Sequence, residues 1–249
     1  MNLEKIEKQV VKIIKQASKI YYKKEFFEVE EKHKYENDDV TNNDIATQNF
    51  IKEKLLKLIE GSCFIGEEGS EINDNKYVWI LDPIDGTQNY KKSVPLYGTQ
   101  LALQLNRKTI FSVIYLPCYN ELYVANEKGA TLNGKPIMVA NNFELNKSVV
   151  LMGNFASYVD IEKQTEIQFK LMNNFKSIRI FGSAAFNYSL CATGKMDAVV
   201  IFGNTIWDLA PGQFLIEKAG GTTYENKKLC LHISGNAEIV KNIKKLLRV

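Results

Sequence analysis

Trp79-Ile80-Leu81-Asp82-Pro83-Ile84-Asp85-Gly86-Thr87-Gln88-Asn89-Tyr90 is the stretch on which the fold and the chemistry turn. Residues 77–81 form an apolar run suited to a buried strand. Pro83 cannot donate to a sheet ladder, so the strand is expected to end at Asp82. Asp85-Gly86-Thr87 then turns the chain into a helical turn through Asn89-Tyr90. A strand end followed by glycine and a helix N-terminus lets several backbone N–H groups converge on an anion. Two carboxylates beside such a nest repel each other and a phosphate. At ~4 Å and an effective dielectric of about 20, each like-charge pair costs about 4 kcal/mol. A hard divalent cation reverses that sign, and Mg²⁺ accepts carboxylate, carbonyl and phosphate oxygens together. The stretch therefore points to metal-assisted phosphoryl chemistry. The plainer alternative is that Asp82 and Asp85 cap a turn and Asp208 caps a helix.

Two further acidic clusters flank this one. Gly66-Glu67-Glu68-Gly69 follows a short apolar run at 63–65, and Trp207-Asp208 opens a predicted helix. A different phosphatase class, the haloacid dehalogenases, places D-x-D-G-T after a strand with an aspartyl nucleophile. This chain has D-x-x-D-G-T near residue 82. In a regular strand, positions i and i+3 do not share a face, which argues against that assignment.

Outward on the N-terminal side, Leu3, Ile6, Val10, Ile13, Ala17 and Ile20 mark one face of a helix over residues 1–22. Residues 25–39 are charged and weakly patterned, which suits a loop or hairpin. A second helix is predicted over 43–60, with Ile51, Leu55, Leu58 and Ile59 inward and Gly61 as its stop. On the C-terminal side, 99–105, 109–116 and 121–125 read as strands joined by short turns, hence antiparallel neighbours. Asn133-Gly134 adds a tight-turn signal. Strands at 148–152, 178–181, 197–202 and 229–234 then alternate with helices at 162–173, 183–193 and 209–219, and a basic helix closes the chain from Ala237. These elements predict one α/β (α+β) unit over 1–249. Its sub-domains are an antiparallel-sheet part over about 1–140 and a mixed α/β part over 141–249.

Composition narrows the partners. Lys+Arg 32 against Asp+Glu 29 leaves +3 on 249 residues, and the lysines are scattered, so no nucleic-acid polymer is expected. The longest apolar runs fall far short of the ~20 residues of a membrane span. Cys63, Cys118, Cys191 and Cys230 lack the paired spacing of a zinc or redox motif and read as free thiols. The N-terminus offers no signal-peptide apolar region, and a cytoplasmic location is expected.

The quoted motifs resemble those of the inositol monophosphatase family, the Mg²⁺-dependent, lithium-sensitive phosphatases. The family pattern runs G-E-E, W-I-[IL]-D-P-I-D-G-T-x-N-[FY], G-S-A-A, then W-D-x-A-x-G ending in A-G-G. Here it is met by Gly66-Glu67-Glu68, the stretch from Trp79 to Tyr90, Gly182-Ser183-Ala184-Ala185, Trp207-Asp208-Leu209-Ala210-Pro211-Gly212 and Ala219-Gly220-Gly221. The resemblance implies a layered α-β-α-β-α sandwich, a homodimer, two or three Mg²⁺ ions and a small phosphorylated substrate. It implies that Glu67, Asp82 and the Ile84 carbonyl hold one ion and that Asp82, Asp85 and Asp208 hold a second. Glu67 and Thr87 would orient the attacking water. Asp44 would bond to Thr87 and help hold a third ion, although Thr41-x-x-Asp44 also fits a helix capping box. Asp85, Gly86, Thr87 and Asp208 would contact the substrate, with the amides of Gly86 and Thr87 on the phosphate. Gly182, Ser183 and Ala184 would line its alcohol half. Ser183 reads as a helix N-cap rather than a nucleophile. Trp79 and Trp207 read as core residues.

Three departures bear on substrate choice. Ile201 stands where members favouring myo-inositol phosphates commonly carry a glutamate. A basic residue expected before Thr41 is matched loosely by His33 or Lys34. Pro211 replaces a usual alanine and is expected in the first turn of its helix, where proline is tolerated. The resulting expectation is inositol-1-monophosphatase-like hydrolysis of a small phosphate monoester without a covalent intermediate. Related activities on histidinol phosphate, fructose bisphosphate or a 3′-phosphonucleotide stay open. So do a non-catalytic metal- or phosphate-binding sensor and a two-carboxylate glycosidase.

Overall fold

Leu3–Tyr21 forms the first helix, α1, whose buried side includes Ile6, Val10, Ile13, Ile14 and Ala17. The computed structural model describes residues 3–22, 31–35, 38–69, 75–203 and 205–249, with backbone alone for 31–40. His33 and Lys34 therefore lie outside the described side chains. Within the charged segment, β1 (Glu31–Tyr35) and β2 (Asp38–Thr41) pair as an antiparallel hairpin. Next comes α2 (Asn42–Leu58), which a reciprocal capping box opens. The Asp44 N–H donates to Thr41 Oγ1 (3.3 Å), and the Asp44 carboxylate accepts from the Thr41 N–H (2.9 Å).

The following strands are β3 (Cys63–Gly66), β4 (Tyr77–Asp85), β5 (Gly98–Leu105), β6 (Lys108–Leu116), β7 (Glu121–Asn126), β8 (Gly129–Leu132) and β9 (Lys135–Pro136). They form one sheet in sequence order, antiparallel except for the parallel β3–β4 pair. The short helix α3 (Thr87–Lys91) interrupts this run. The remaining elements are β10 (Val149–Met152), α4 (Ile161–Asn174), β11 (Ser177–Ile180), α5 (Ala184–Ala192), β12 (Ala198–Phe202), α6 (Ile206–Lys218), β13 (Thr222–Asn226), β14 (Leu231–Gly235) and α7 (Ala237–Leu247). The second sheet has the order β11-β10-β12-β14-β13, with β10 parallel to both neighbours and β14 antiparallel to both of its own.

Period-two alternation builds the layers. Trp79, Leu81, Leu101 and Leu103 face one way and pack with Ile14, Ile51 and Leu55 of α1 and α2. Ile80 and Ala102 face the other way and meet Ala210 of α6. Tyr188 of α5 and Leu215 of α6 share a core with Ile114 of the first sheet and Val199 and Ile201 of the second. On the outer face of the second sheet, Ile167 and Leu171 of α4 join Ile239 and Ile243 of α7. The order is α-β-α-β-α, as expected. Trp79 is fully buried, and Trp207 packs beside Ile80 and Ala102. Among the described residues no helix is long and apolar enough to cross a membrane.

Two local expectations are corrected. β4 does not stop at Asp82 but runs through Pro83 to Asp85. Its register advances from 82 to 85 while β5 moves only from Gln100 to Gly98, a β-bulge. Pro83 sits in that bulge, where no ladder N–H is required, and its carbonyl accepts from Thr99 Oγ1 (2.8 Å). Pro211 is not in a first helical turn, because α6 begins at Ile206. It lies inside the helix and deprives the Trp207 carbonyl of its i+4 donor.

The α5–α6 crossing depends on Gly212. A Cβ built there would lie 2.0 Å from Tyr188 Cδ2, in a fully buried ring. Gly212→Ala is expected to cost about 3 kcal/mol, the upper range for overpacking. That is roughly 6–12 °C in Tm for a chain of this size. A thermal melt matching wild type would contradict this packing.

Candidate active site

The bulge in β4 assembles the site. Without it, Asp85 would point away from Asp82; the extra residue returns Asp85 to the side facing α5 and α6. Regular strand alternation, which would put positions 82 and 85 on opposite faces, therefore does not hold at this bulge. Carboxylate oxygens of Asp82, Asp85 and Asp208 lie within 4.8 Å of one another. Asp208 reaches them from the first turn of α6, where its N–H bonds to the Thr205 carbonyl (3.2 Å) and its carboxylate accepts from the Thr205 hydroxyl. All three line a cleft of about 490 Å³ with Glu67, Ile84, Gly86, Thr87 and Gly182.

The Asp85 carboxylate is held from behind. The Ser183 hydroxyl donates to Asp85, as do the N–H groups of Ala184 (3.0 Å) and Ala185 (2.9 Å) at the start of α5. Ser183 Oγ also caps that helix by accepting from the Phe186 N–H (3.1 Å). Ser183 and Ala184 thus face Asp85, and of the Gly182–Ala184 trio Gly182 lines the cleft. The Glu67 N–H bonds to the Leu81 carbonyl (3.3 Å), and the neighbouring Glu68 N–H bonds to Gln48 Oε1 of α2 (3.1 Å). Thr87 Oγ1 lies 3.0 Å from the Ile84 carbonyl and 3.5 Å from Asp44 Oδ1. The capping box and the approach to Thr87 coexist in Asp44. Gly86 turns the chain at φ +84, and a Cβ there would sit 2.8 Å from the Leu96 carbonyl oxygen, so a side chain does not fit.

Burial makes this cluster electrostatically costly by itself. Desolvation, then Glu67, Asp85 and Asp208, holds Asp82 well above the usual carboxylate range. Burial and Asp208 push Asp85 up to about 7, against the lowering pull of Ser183, Ala185 and Ala184. Burial raises Asp44 to about 6. Asp82 Oδ1 is buried and has no hydrogen-bond partner. An unpaired buried carboxylate oxygen facing two further carboxylates fits a hard cation better than any side-chain donor at hand.

A sequence model of the inositol monophosphatase family matches residues 2–242. The chain belongs to the inositol monophosphatase family. It is 32% identical over 223 residues to Nus factor SuhB of Escherichia coli K12, covering 86% of this chain and 84% of that protein. It is 31% identical over 228 residues to the inositol monophosphatase of Dictyostelium discoideum, covering 84% and 82%. Among solved structures, an IMPase of Thermotoga maritima superposes with a TM-score of 0.85 at 27% identity, covering 98% of this chain and 97% of that one.

In this family member the cleft also contains residues outside those expected to bind metal or substrate. Gln88, Asn89, Asn154, Ile180 and Phe181 line it. Asn89 Nδ2 donates to the carbonyls of Leu96 (2.9 Å) and Phe181 (2.7 Å), tying α3 to the segment that leads into α5. Its presence inside the 79–90 motif was the available signal. Ile201 is 7% exposed, packs in the central core and does not line the cleft.

The raised carboxylates give the metal-free protein a defined pH response. Unfolded aspartates titrate near ~3.9. Asp44 at about 6, Asp85 at about 7 and Asp82, held well above the usual carboxylate range, keep protons in the fold that the unfolded chain has released. Stability then falls as pH rises from about 4 through about 7. His232, whose pKa burial lowers, acts in the opposite direction as a single group. In EDTA, Tm should fall between pH 5 and pH 8, and saturating Mg²⁺ should remove the fall. An EDTA Tm that rises across that interval would contradict the electrostatics.

Proposed function

We propose that this chain is a Mg²⁺-dependent phosphomonoesterase for a small organic phosphate. The observation that carries the reading is the convergence of Asp82, Asp85 and Asp208 within 4.8 Å around an unpartnered, buried Asp82 Oδ1. Glu67, Asp82 and the Ile84 carbonyl would hold one ion; Asp82, Asp85 and Asp208 a second; Asp44 would help with a third. When bound, the ions offset the carboxylate and phosphate charges and polarise the water that attacks phosphorus. The Ile84 carbonyl keeps a second lone pair beyond the one directed at Thr87.

The protein groups then divide the work. Glu67 accepts a hydrogen bond from the attacking water and orients it. Thr87, fixed against Ile84 and Asp44, aims the same water. The amides of Gly86 and Thr87, at the opening of α3, receive the phosphate oxygens. Gly182 leaves room for the alcohol half, which meets the amides of Gln88 and Asn154 and the apolar rim of Ile180 and Phe181. With Ile201 buried in the core, no carboxylate at that position receives a polyol hydroxyl, so myo-inositol 1-phosphate loses a recognition bond.

The test is phosphate release from inositol 1-phosphate, histidinol phosphate, fructose 1,6-bisphosphate, a 3′-phosphonucleotide and simple sugar phosphates, in Mg²⁺ and in EDTA. Release from at least one ester in Mg²⁺ and none in EDTA is expected. Silence across the panel in a protein that binds Mg²⁺ would favour a sensor. Glycoside hydrolysis that survives EDTA would overturn the reading.

A further inference from the structure

A second pocket, of about 790 Å³, lies beyond the catalytic cleft along α6. One wall comes from the paired ends of β5 and β6 (Gln104, Lys108, Thr109) and the other from β13 and β14 with their connection (Glu225, Lys227, His232). Ile206, Leu209, Ala210 and Phe214 of α6 supply an apolar floor. The volume lies within the ~300–1,000 Å³ of small-molecule sites, which favour such seams between sheets. The cleft chemistry uses none of these residues.

We propose that this pocket is a binding site for a small organic anion, an aromatic or aliphatic body bearing a phosphate, sulfonate or carboxylate, and that its occupancy is coupled to the cation site through α6. Charge sets the ligand class. Lys108, Lys218 and Lys227 line the pocket against Glu217 and Glu225. Among the described residues none of the three ammonium groups is within salt-bridge distance of a carboxylate. Glu217 instead accepts from the Thr223 hydroxyl (3.1 Å), and the Lys218 ammonium lies 5.2 Å from the centre of the Phe214 ring. The surplus is cationic and the floor is apolar, so a ligand carrying both an apolar body and an anionic group is complementary to both.

The coupling has a structural path. His232, 5% exposed, lines this pocket and joins two parts of the active-site scaffold. Its Nδ1 lies 3.2 Å from Gln213 Nε2 on α6, and it makes a backbone hydrogen bond to Gly203. Gly203 begins the segment that leads into α6 and Asp208, and its own N–H bonds to the Cys230 carbonyl (2.8 Å). The floor residues Ile206, Leu209 and Ala210 belong to the same turn of α6 as Asp208. A ligand touching His232 and α6 therefore bears on how Asp208 is held, and the effect is reciprocal by linkage.

The probe is 8-anilinonaphthalene-1-sulfonate, a fluorescent aromatic anion, titrated into the full chain in Mg²⁺ and saturating inorganic phosphate. Saturable binding near one per chain is expected. Lys108→Glu/Lys227→Glu should weaken it at least about tenfold, and the neutral pair Lys108→Gln/Lys227→Gln should fall between. Both replace exposed side chains, and unchanged melting would show them folded. Asp82→Asn should still bind the probe, with an affinity altered by no more than the factor by which the probe alters Mg²⁺ affinity in wild type, which separates this site from the cleft. Calorimetry should show the probe shifting Mg²⁺ affinity about threefold or more. Equal binding by wild type and the charge-reversed pair, or loss of binding in Asp82→Asn, would overturn the site. Probe binding without a shift in Mg²⁺ affinity would overturn the coupling. The fluorescence arm needs no phosphatase activity, so its failure and the failure of the proposed function are read separately.

Discussion

Asp82→Asn is expected to lower phosphate release by roughly 10³-fold at a fixed Mg²⁺ concentration while raising the melting temperature of the metal-free protein. The two effects share one cause. Asp82 is 2% exposed, faces Glu67, Asp85 and Asp208, and has an oxygen with no partner. Without a cation the fold must keep a proton on Asp82 that the unfolded chain has released, so a neutral amide of the same shape removes that cost. With a cation, the same carboxylate is the ligand shared by both proposed ion positions, and the amide cannot replace its charge. The expected rise in EDTA is about 3 °C or more. Saturating Mg²⁺ should then stabilise wild type more than the variant. Near wild-type turnover, or a variant less stable than wild type in EDTA, would contradict this view of the cluster.

Thr87→Val is the second large effect. Valine keeps the shape of threonine and removes the hydroxyl placed 3.0 Å from the Ile84 carbonyl and 3.5 Å from Asp44 Oδ1. That hydroxyl is proposed to aim the water and is not a proposed cation ligand. kcat should therefore fall roughly 10²–10³-fold while calorimetric Mg²⁺ affinity changes little. Thr87→Ser, which restores the hydroxyl, should recover most of the loss. Equal losses in turnover and Mg²⁺ affinity would move Thr87 from water positioning to holding the metal site.

The legible parts of the sequence were those where local chemistry and tertiary context agree. Helix α1 follows from one apolar stripe, and the capping box of Thr41 and Asp44 appears as written. Gly86 at positive φ and Ser183 as the cap of α5 follow from residue type. Short or polar strands were not legible. β3 has four residues and pairs in parallel across a long connection; β13 reads Thr-Thr-Tyr-Glu-Asn and gains its strand form from pairing with β14. β8 and β9 flank a recognised Asn133-Gly134 turn but are too short to carry a pattern of their own.

At the site, residue identity was easier to read than placement. Proline was taken to end β4, whereas tertiary pairing with β5 carries the strand on and absorbs the proline in a bulge. That bulge puts Asp85 beside Asp82, and no local propensity announces it. Asn154 and Phe181 entered the cleft from segments without a recognisable motif. The second pocket was illegible for the same reason: Lys108, Gln213 and His232 are brought together by the layering of two sheets around α6.

The most direct measurement is anomalous diffraction from crystals of the full chain grown with Mn²⁺ in place of Mg²⁺. The account predicts anomalous density bonded to carboxylate oxygens of Asp82, Asp85 and Asp208, with a further peak shared by Asp82 and Glu67. Mn²⁺ bound elsewhere with this cluster empty, or the three aspartates turned away from one another, would contradict it.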